Sequence, residues 1–190
     1  MLFRSSFAGD VNKLVQYNDV LSGDHLDQLH EFMGVAALDF DVIGTTGNDI
    51  LYGSPYEDSI NGGDGDDVLY AGSGVDIIFG GDGMDNLYGQ SGADTFVFEA
   101  ISAYNDVDQI NDFDKSEGDA LDLSDLLQAY DPVQDAITDF VSIVTSGDDT
   151  LVRVDANGGA DNFVQIAKVN NVTGLTDEDQ LVSDGTLIVV

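Results

Sequence analysis

Six aspartates recur every nine residues through the middle of the chain, and each is followed two positions later by a large apolar residue. Read in nines from Gly44, the segment is GTTGNDILY, GSPYEDSIN, GGDGDDVLY, AGSGVDIIF, GGDGMDNLY and GQSGADTFV. Carboxylates are preferred ligands of hard divalent cations, and Ca²⁺ takes about 6 to 8 oxygen ligands. The pattern therefore indicates a repeated metal-binding turn. Its aspartates are Asp49, Asp58, Asp67, Asp76, Asp85 and Asp94.

The other positions of the nine-residue unit indicate how the aspartates are held. Glycine fills the first and fourth positions in five units each and permits a tight turn whose carbonyls point at one spot. The last three residues predict a short strand whose middle side chain faces inward. These inward residues are Leu51, Ile60, Leu69, Ile78, Leu87 and Phe96. Two units then make one coil, and six units make a three-coil parallel β-roll with a thin core between two sheets.

Stacking of the coils predicts two columns of carboxylates. Strands about 4.8 Å apart bring each turn over the turn two units earlier. Asp49, Asp67 and Asp85 then share one column, and Asp58, Asp76 and Asp94 share the other. Such carboxylates repel one another unless cations lie between them, so we expect metal binding to drive folding. A flexible Gly-Asp linker would explain the composition but not the apolar residue at each eighth position.

The pattern resembles the RTX (repeats-in-toxin) nonapeptide GGxGxDxUx, a calcium-binding β-roll repeat. The resemblance implies several Ca²⁺ ions, each between the turns of alternate units. Each ion is bound by two turns. The earlier turn provides the carbonyls of its second and fourth positions and its aspartate, and the later turn provides the carbonyls of its first and third positions and its aspartate. One edge would hold two sites: Gly63, Gly65 and Asp67 with Gly80, Asp82 and Asp85; and Thr45, Gly47 and Asp49 with Gly62, Asp64 and Asp67. The other edge would hold Gly72, Gly74 and Asp76 with Gly89, Ser91 and Asp94, and a fourth site of Ser54, Tyr56 and Asp58 with Ala71, Ser73 and Asp76. The unit GSPYEDSIN departs most from the pattern, which weakens the fourth site.

The amino-acid composition excludes several classes of binding partner. The chain of 190 residues has 37 acidic and five basic residues, a formal net charge of −32, and no cysteine. So acidic a chain repels nucleic acid and anionic membranes. No run approaches the roughly 20 apolar residues of a membrane span, and the N-terminus does not resemble a signal peptide. We therefore expect no nucleic-acid partner and no insertion in a membrane. We also expect an all-β fold, from the repeats, and a monomer.

Three regions are predicted. Residues 1–43 form an N-terminal helical cap or the remnant of a preceding domain, with an amphipathic helix over 22–34. Residues 44–97 form the roll, and residues 98–190 form a β-rich domain with short helices. In that domain we expect strands in DVDQINDFD, GDALDLS and NFVQIAKV, helical turns in SDLLQAY and TDEDQLV, and a hairpin turning near Gly147.

Residues 94–190 are also similar to the C-terminal target domain of RTX proteins exported by type I secretion. The resemblance implies an uncleaved export signal, an ABC transporter complex as partner and an extracellular or cell-surface location. Asp184 before the apolar C-terminus, residues 187–190, fits such a signal, although a final edge strand fits equally. We expect a secretion and calcium-dependent folding module at the C-terminus of a large extracellular RTX adhesin. In that family, the same module also forms the C-terminus of secreted metalloproteases and lipases, so a secreted enzyme is the alternative parent protein.

Other candidate sites carry less weight. His25 and His30 do not form HExxH, and no GxSxG or cysteine nucleophile is present, so we expect no catalysis. Tyr52, Tyr70 and Tyr88 predict a ladder on one outer face, which packing or glycan binding would explain. The pattern of Asp106, Asp108, Asp112 and Asp114 fits a further calcium site and fits alternating acidic residues on a strand edge equally well.

Overall fold

The computed structural model describes residues 41–100, 103–159 and 162–190. The predicted helix over 22–34, the two histidines and nearly all of the predicted N-terminal region lie outside these residues. Within the described part, no helix has the length and apolar character needed to cross a membrane.

Two sheets with mostly parallel pairing form the framework of the described residues. The first sheet, in spatial order, contains β1 (Asp41–Ile43), β3 (Ser59–Asp64), β5 (Ile77–Asp82), β7 (Thr95–Val97), β9 (Ala120–Asp122) and β13 (Leu187–Ile188). The second contains β10 (Val141–Ser146), β11 (Asp149–Val154), β12 (Val164–Val169), β8 (Asp108–Ile110), β6 (Asn86–Gly92), β4 (Val68–Gly74) and β2 (Ile50–Tyr52). Odd and even strands of the repeats fall in opposite sheets, as the two-unit coil predicts.

The eighth position of each repeat sets the register. Leu51 pairs with Leu69 and Leu69 with Leu87, while Ile60 pairs with Ile78 and Ile78 with Phe96. All of these side chains except the half-buried Leu51 are at most 1% exposed. The parallel β-roll and its inward-facing apolar residues are therefore confirmed.

The strands are longer than the sequence predicts. β3 and β5 continue through the first three positions of the next unit, where Gly63 pairs with Gly81 and Asp64 with Asp82. Gly63 shows why glycine is needed there: its φ is +99°, and a Cβ would collide with the Thr45 carbonyl oxygen of the coil below. The turn itself is thus shorter than six residues.

The stacking extends beyond the six nonapeptides. β1 pairs with β3 before them, and β9 pairs with β7 after them. β8 pairs with β6 in the other sheet. One hydrophobic cluster runs from Ile60 to Val189 through both sheets. The boundary predicted between residues 97 and 98 stays a prediction, but both sheets cross it.

The C-terminal strands follow the sequence prediction in part. The hairpin of β10 and β11 turns at Gly147, which has a φ of +67°, and β12 covers the predicted NFVQIAKV strand. Helix α1 (Glu178–Asp184) begins within TDEDQLV and ends two residues beyond it, and it is capped by Asp177, whose carboxylate accepts from the Gln180 N–H at 3.0 Å. The predicted helical turns in SDLLQAY are hydrogen-bonded turns and not a helix. β13 is the predicted edge strand and pairs with β9.

Candidate metal centres

One edge of the roll carries a continuous column of aspartates. The Asp49 N–H donates to Asp67 Oδ1 at 2.7 Å, and the Asp67 N–H donates to Asp85 Oδ1 at 2.8 Å. The Asp85 N–H then donates to Asp108 Oδ1 at 3.0 Å. The carboxylates of Asp67, Asp85 and Asp108 therefore each reach back to the backbone of the preceding turn. We call these four residues the first column.

The opposite edge repeats the arrangement. The N–H groups of Asp58, Asp76 and Asp94 donate to Oδ1 of Asp76, Asp94 and Asp119 at 2.8, 3.0 and 3.0 Å, respectively. We call Asp58, Asp76, Asp94 and Asp119 the second column. The two predicted columns are confirmed, and each is one residue longer than predicted.

The second oxygen of four aspartates has no partner. Oδ2 of Asp67, Asp76, Asp85 and Asp94 is buried without a hydrogen bond, and each of these residues is at most 1% exposed. Three of these oxygens lie over the first glycine of their own turn, where a Cβ on Gly62, Gly80 or Gly89 would collide with them. A buried, uncompensated carboxylate oxygen is costly, since it has lost its water and gained no partner. A hard cation supplies what these oxygens lack, so the donor set fits Ca²⁺.

In the first turn on each edge, unlike the interior turns, protein groups donate hydrogen bonds to the second oxygen of the aspartate. Asp49 Oδ2 accepts from the Thr45 N–H at 2.6 Å and the Thr45 hydroxyl at 2.7 Å, and Asp58 Oδ2 accepts from the Ser54 N–H. These protein donors already satisfy the two oxygens. The demand for a cation is therefore greatest at the interior turns.

Burial changes the proton affinity of the columns. It raises the pKa of Asp76 and Asp85 to about 6 and that of Asp94 and Asp108 to about 7, against hydrogen bonds that act in the opposite direction. The neighbouring carboxylate of each column adds to the upward shift. Without a cation, these side chains therefore keep their protons to a higher pH than an ordinary aspartate does.

The other predicted ligands are backbone carbonyls of the same turns. Three of them accept hydrogen bonds between turns: Thr45 from the Asp64 N–H at 3.1 Å, Asp82 from the Gly65 N–H at 2.7 Å and Ser54 from the Ser73 N–H at 3.2 Å. A carbonyl oxygen has two lone pairs, so one such bond leaves a pair for a metal. In the described residues, no three acidic or histidine side chains gather as a metal-binding group. Each site therefore depends on two carboxylates and such carbonyls, and the ligand sets stay predictions.

Sequence reasoning missed Asp119 as a column member and did not place Asp108 in a column. The pattern that finds them is the same aspartate two positions before an apolar residue, Ile110 and Leu121. Three of the four aspartates considered for a further site have different partners: Asp108 belongs to the first column, Asp112 accepts from the Gly89 and Gln90 N–H groups at 3.0 Å each, and Asp114 accepts from the Ser116 N–H and hydroxyl. Asp106 is close enough to Asp108 to raise the pKa of that carboxyl.

The tyrosines form the predicted ladder. The Tyr52 and Tyr70 ring centroids are 5.1 Å apart with planes at 11°, and those of Tyr70 and Tyr88 are 4.6 Å apart at 20°. The Tyr70 ring therefore has a tyrosine against each face. Sugars stack on ring faces, so this geometry favours packing over glycan binding for the middle of the ladder.

Comparison with known proteins agrees with the geometry. The family model of the RTX calcium-binding nonapeptide repeat matches residues 43–78 and 70–100. Two solution structures from the Azotobacter vinelandii mannuronan C5-epimerase are similar. The AlgE6R3 subunit is 27% identical with a TM-score of 0.52, over 77% of this chain and 81% of that chain. The AlgE6R2 subunit is 23% identical with a TM-score of 0.51, over 83% of this chain and 96% of that chain, and shows the fold alone. No curated protein sequence matches the chain.

Proposed function

Since residues 43–100 belong to the RTX calcium-binding repeat family, we propose that the chain is a calcium-dependent folding and type I secretion module of a large extracellular protein. Its own work is binding and folding, without catalysis. We propose that it acts as a monomer with the ABC transporter complex of a type I system as its export partner.

One observation carries the calcium dependence: the four buried Oδ2 atoms that lack any partner. Calcium supplies positive charge and coordination to these oxygens when bound. The interior aspartates hold the donor oxygens in line through their backbone hydrogen bonds, and the glycines keep the turns close enough to share an ion. Metal binding then contributes directly to the free energy of folding.

The charge of the chain supports folding after export. A net charge of −32 repels itself in a compact state unless cations neutralise it. A chain that stays unfolded where free calcium is scarce can pass a narrow channel and fold where calcium is abundant. The RTX repeats, which are typical of extracellular proteins, support an extracellular or cell-surface location.

An adhesin is our preferred parent protein, because this segment contains binding repeats and its sequence has no HExxH, GxSxG or cysteine nucleophile. A second candidate is a module of an exported enzyme. The similarity to the AlgE6R3 subunit of an epimerase favours that candidate, since the two share the fold over most of their lengths.

Circular dichroism tests the folding role. The metal-free protein at pH 7.5 should gain β-sheet signal cooperatively with calcium and not with magnesium at the same ionic strength. A metal-free chain that is already fully folded at this pH would contradict the proposal.

Export is tested separately in cells that contain a type I transporter. The intact chain should appear in the medium, and a chain that lacks residues 98–190 should remain inside. Equal release of both, or release of neither with the transporter active on its own substrate, would argue against the secretion role.

A further inference from the structure

The apolar residues at the N-terminal end of the roll are more exposed than their equivalents in the later coils. Ile43 is 68% exposed, Ile50 52% and Tyr52 42%. Val42 and Leu51, which begin the inward row of each sheet, are only half-buried, whereas the next members of both rows are almost fully buried. Within the described residues, the core is therefore open to solvent at this end. We call these five residues the open end.

The chain itself closes the other end of the first sheet. Leu121 continues the inward row beyond Phe96 and pairs with Leu187 of β13, and both leucines are at most 2% exposed. Helix α1 lies against β13 and buries Leu181. The described part of the fold thus covers one end of its core and leaves the opposite end bare.

The backbone of the open end also has a free side. β1 and β2 are the outermost strands of their sheets, and among the described strands each pairs with one neighbour, β3 or β4. An exposed strand edge is a template for pairing with another chain, and the terminal repeat of a stacked fold requires a cap. The apolar side chains and the strand edges of the open end therefore both favour a covering segment.

The preceding part of the sequence has the pattern of such a segment. Residues 1–40 lead directly into β1, and the predicted amphipathic helix covers residues 22–34. Leu26, Leu29 and Met33 share one face of that helix by their spacing, and its three acidic residues fall away from this face. The predicted helix thus has an apolar face for which the sequence analysis alone identifies no partner.

The short connection to β1 favours this segment over a second copy of the chain. The distance from residue 34 to residue 41 is at most about 25 Å when the chain is extended. A helix over residues 22–34 is about 20 Å long, which is enough to cross two sheets that lie about 10 Å apart. A segment held by so short a linker has an effective concentration in the millimolar range, roughly, at its binding surface. A second copy reaches that concentration only in a very concentrated solution.

We propose that residues 22–34 cap the open end of the roll, with Leu26, Leu29 and Met33 packed against it. The cap requires the calcium-folded roll of the proposed function, because Val42 and Leu51 come together only when the coils stack, but it does not require the export role. By covering β1 and β2, the cap keeps the strand edges of two copies from pairing.

Hydrogen exchange of the intact chain at saturating calcium tests the cap. Leu29→Asp places a charge in the apolar contact, so it should speed exchange of the Gly44 and Gly53 amides, which bond to β3 and β4, by roughly tenfold or more. Gln28→Asp adds the same charge away from the apolar face and is the matched control. Equal exchange rates in the two variants would overturn the proposal.

A single tryptophan gives a second measurement that does not depend on destabilising the protein. The chain contains no tryptophan, so Leu29→Trp reports on one position alone. In calcium, its emission should be blue-shifted, and acrylamide should quench it less than it quenches Gln28→Trp. If the roll folds with calcium but both variants are quenched equally, the cap fails and the proposed function stands.

Sedimentation of the unmodified chain in calcium separates the two possible occupants. The capped chain should remain a monomer, and exchange at Gly44 and Gly53 should not depend on protein concentration. If the chain instead forms a dimer and these amides become more protected as the concentration rises, a second copy covers the open end and the proposal is wrong. If calcium does not fold the roll, the cap and the proposed function both fail.

Discussion

Acid should replace calcium in stabilising the fold. The metal-free protein is expected to be unfolded in the roll at pH 7.5 and to gain structure as the pH is lowered toward 5.5. The physical reason is that burial raises the pKa of Asp76 and Asp85 to about 6 and of Asp94 and Asp108 to about 7. The folded state therefore binds protons more strongly than the unfolded chain, in which an aspartate has a pKa near 3.9.

The sign follows from proton linkage. These groups stabilise the metal-free fold fully below about pH 4, and that stabilisation is lost as the pH rises through about 6 to 7. Each extra proton held by the folded state changes the free energy of unfolding by about 1.4 kcal/mol per pH unit. A group with a pKa of about 7, such as Asp94, thus accounts for roughly 2 kcal/mol between pH 5 and pH 7. Repulsion between neighbours in a column makes the sum less than additive.

Far-UV circular dichroism and urea unfolding of the metal-free protein from pH 5 to 8 measure this effect. Asp85→Asn combined with Asp94→Asn removes two of the titrating groups, so the pH dependence should become shallower. The exposed Asp125→Asn is the control and should leave the curve unchanged. A metal-free chain that is equally unfolded at pH 5.5 and 7.5, or more stable at 7.5, would refute the reasoning.

Three further predictions concern packing in the calcium-bound protein, and urea unfolding measures each one. Gly63→Ala should cost at least about 2 kcal/mol, because its φ is positive and the Thr45 carbonyl occupies the Cβ position, whereas Gly47→Ala meets open space and should be nearly neutral. Equal effects would contradict the close stacking of the turns. Leu69→Ala should cost about 2 to 5 kcal/mol, since the side chain is fully buried between two coils, while the exposed Ile50→Ala should cost far less. A loss below about 1 kcal/mol for Leu69→Ala would argue against the continuous core. Tyr70→Ala should lower stability by about 1 to 3 kcal/mol because it removes two ring stacks, and unchanged stability with lost glycan binding would instead favour recognition.

The sequence predicts the roll well because one short period fixes both its register and its turns. A spacing of nine places Leu51, Leu69 and Leu87 in one row, and a slip of one residue would turn these side chains to the opposite face. The same period aligns the aspartates, so the two columns follow from the spacing of residues alone.

The junction could not be predicted in the same way. After Val97 the interval of nine is broken and the glycines that mark each turn disappear, so Asp108 and Asp119 fall out of phase although the coil continues. The partners of the last strands are also hidden in the sequence, because β12 pairs with β8 and β13 with β9 through tertiary packing and not through a local turn. Local patterns indicate a strand but do not identify such a distant neighbour.

The sequence separation between bonded residues also sets an order of folding. In the roll, each aspartate bonds to a residue 18 positions away, whereas Asn170 reaches Asn111 over 59 positions and Lys115 reaches Asp184 over 69. Closing a short loop costs less entropy than closing a long one, and chains with nearby contacts fold faster. The coils should therefore assemble first and offer their last strands as a template, on which the C-terminal strands then dock in a slower kinetic phase.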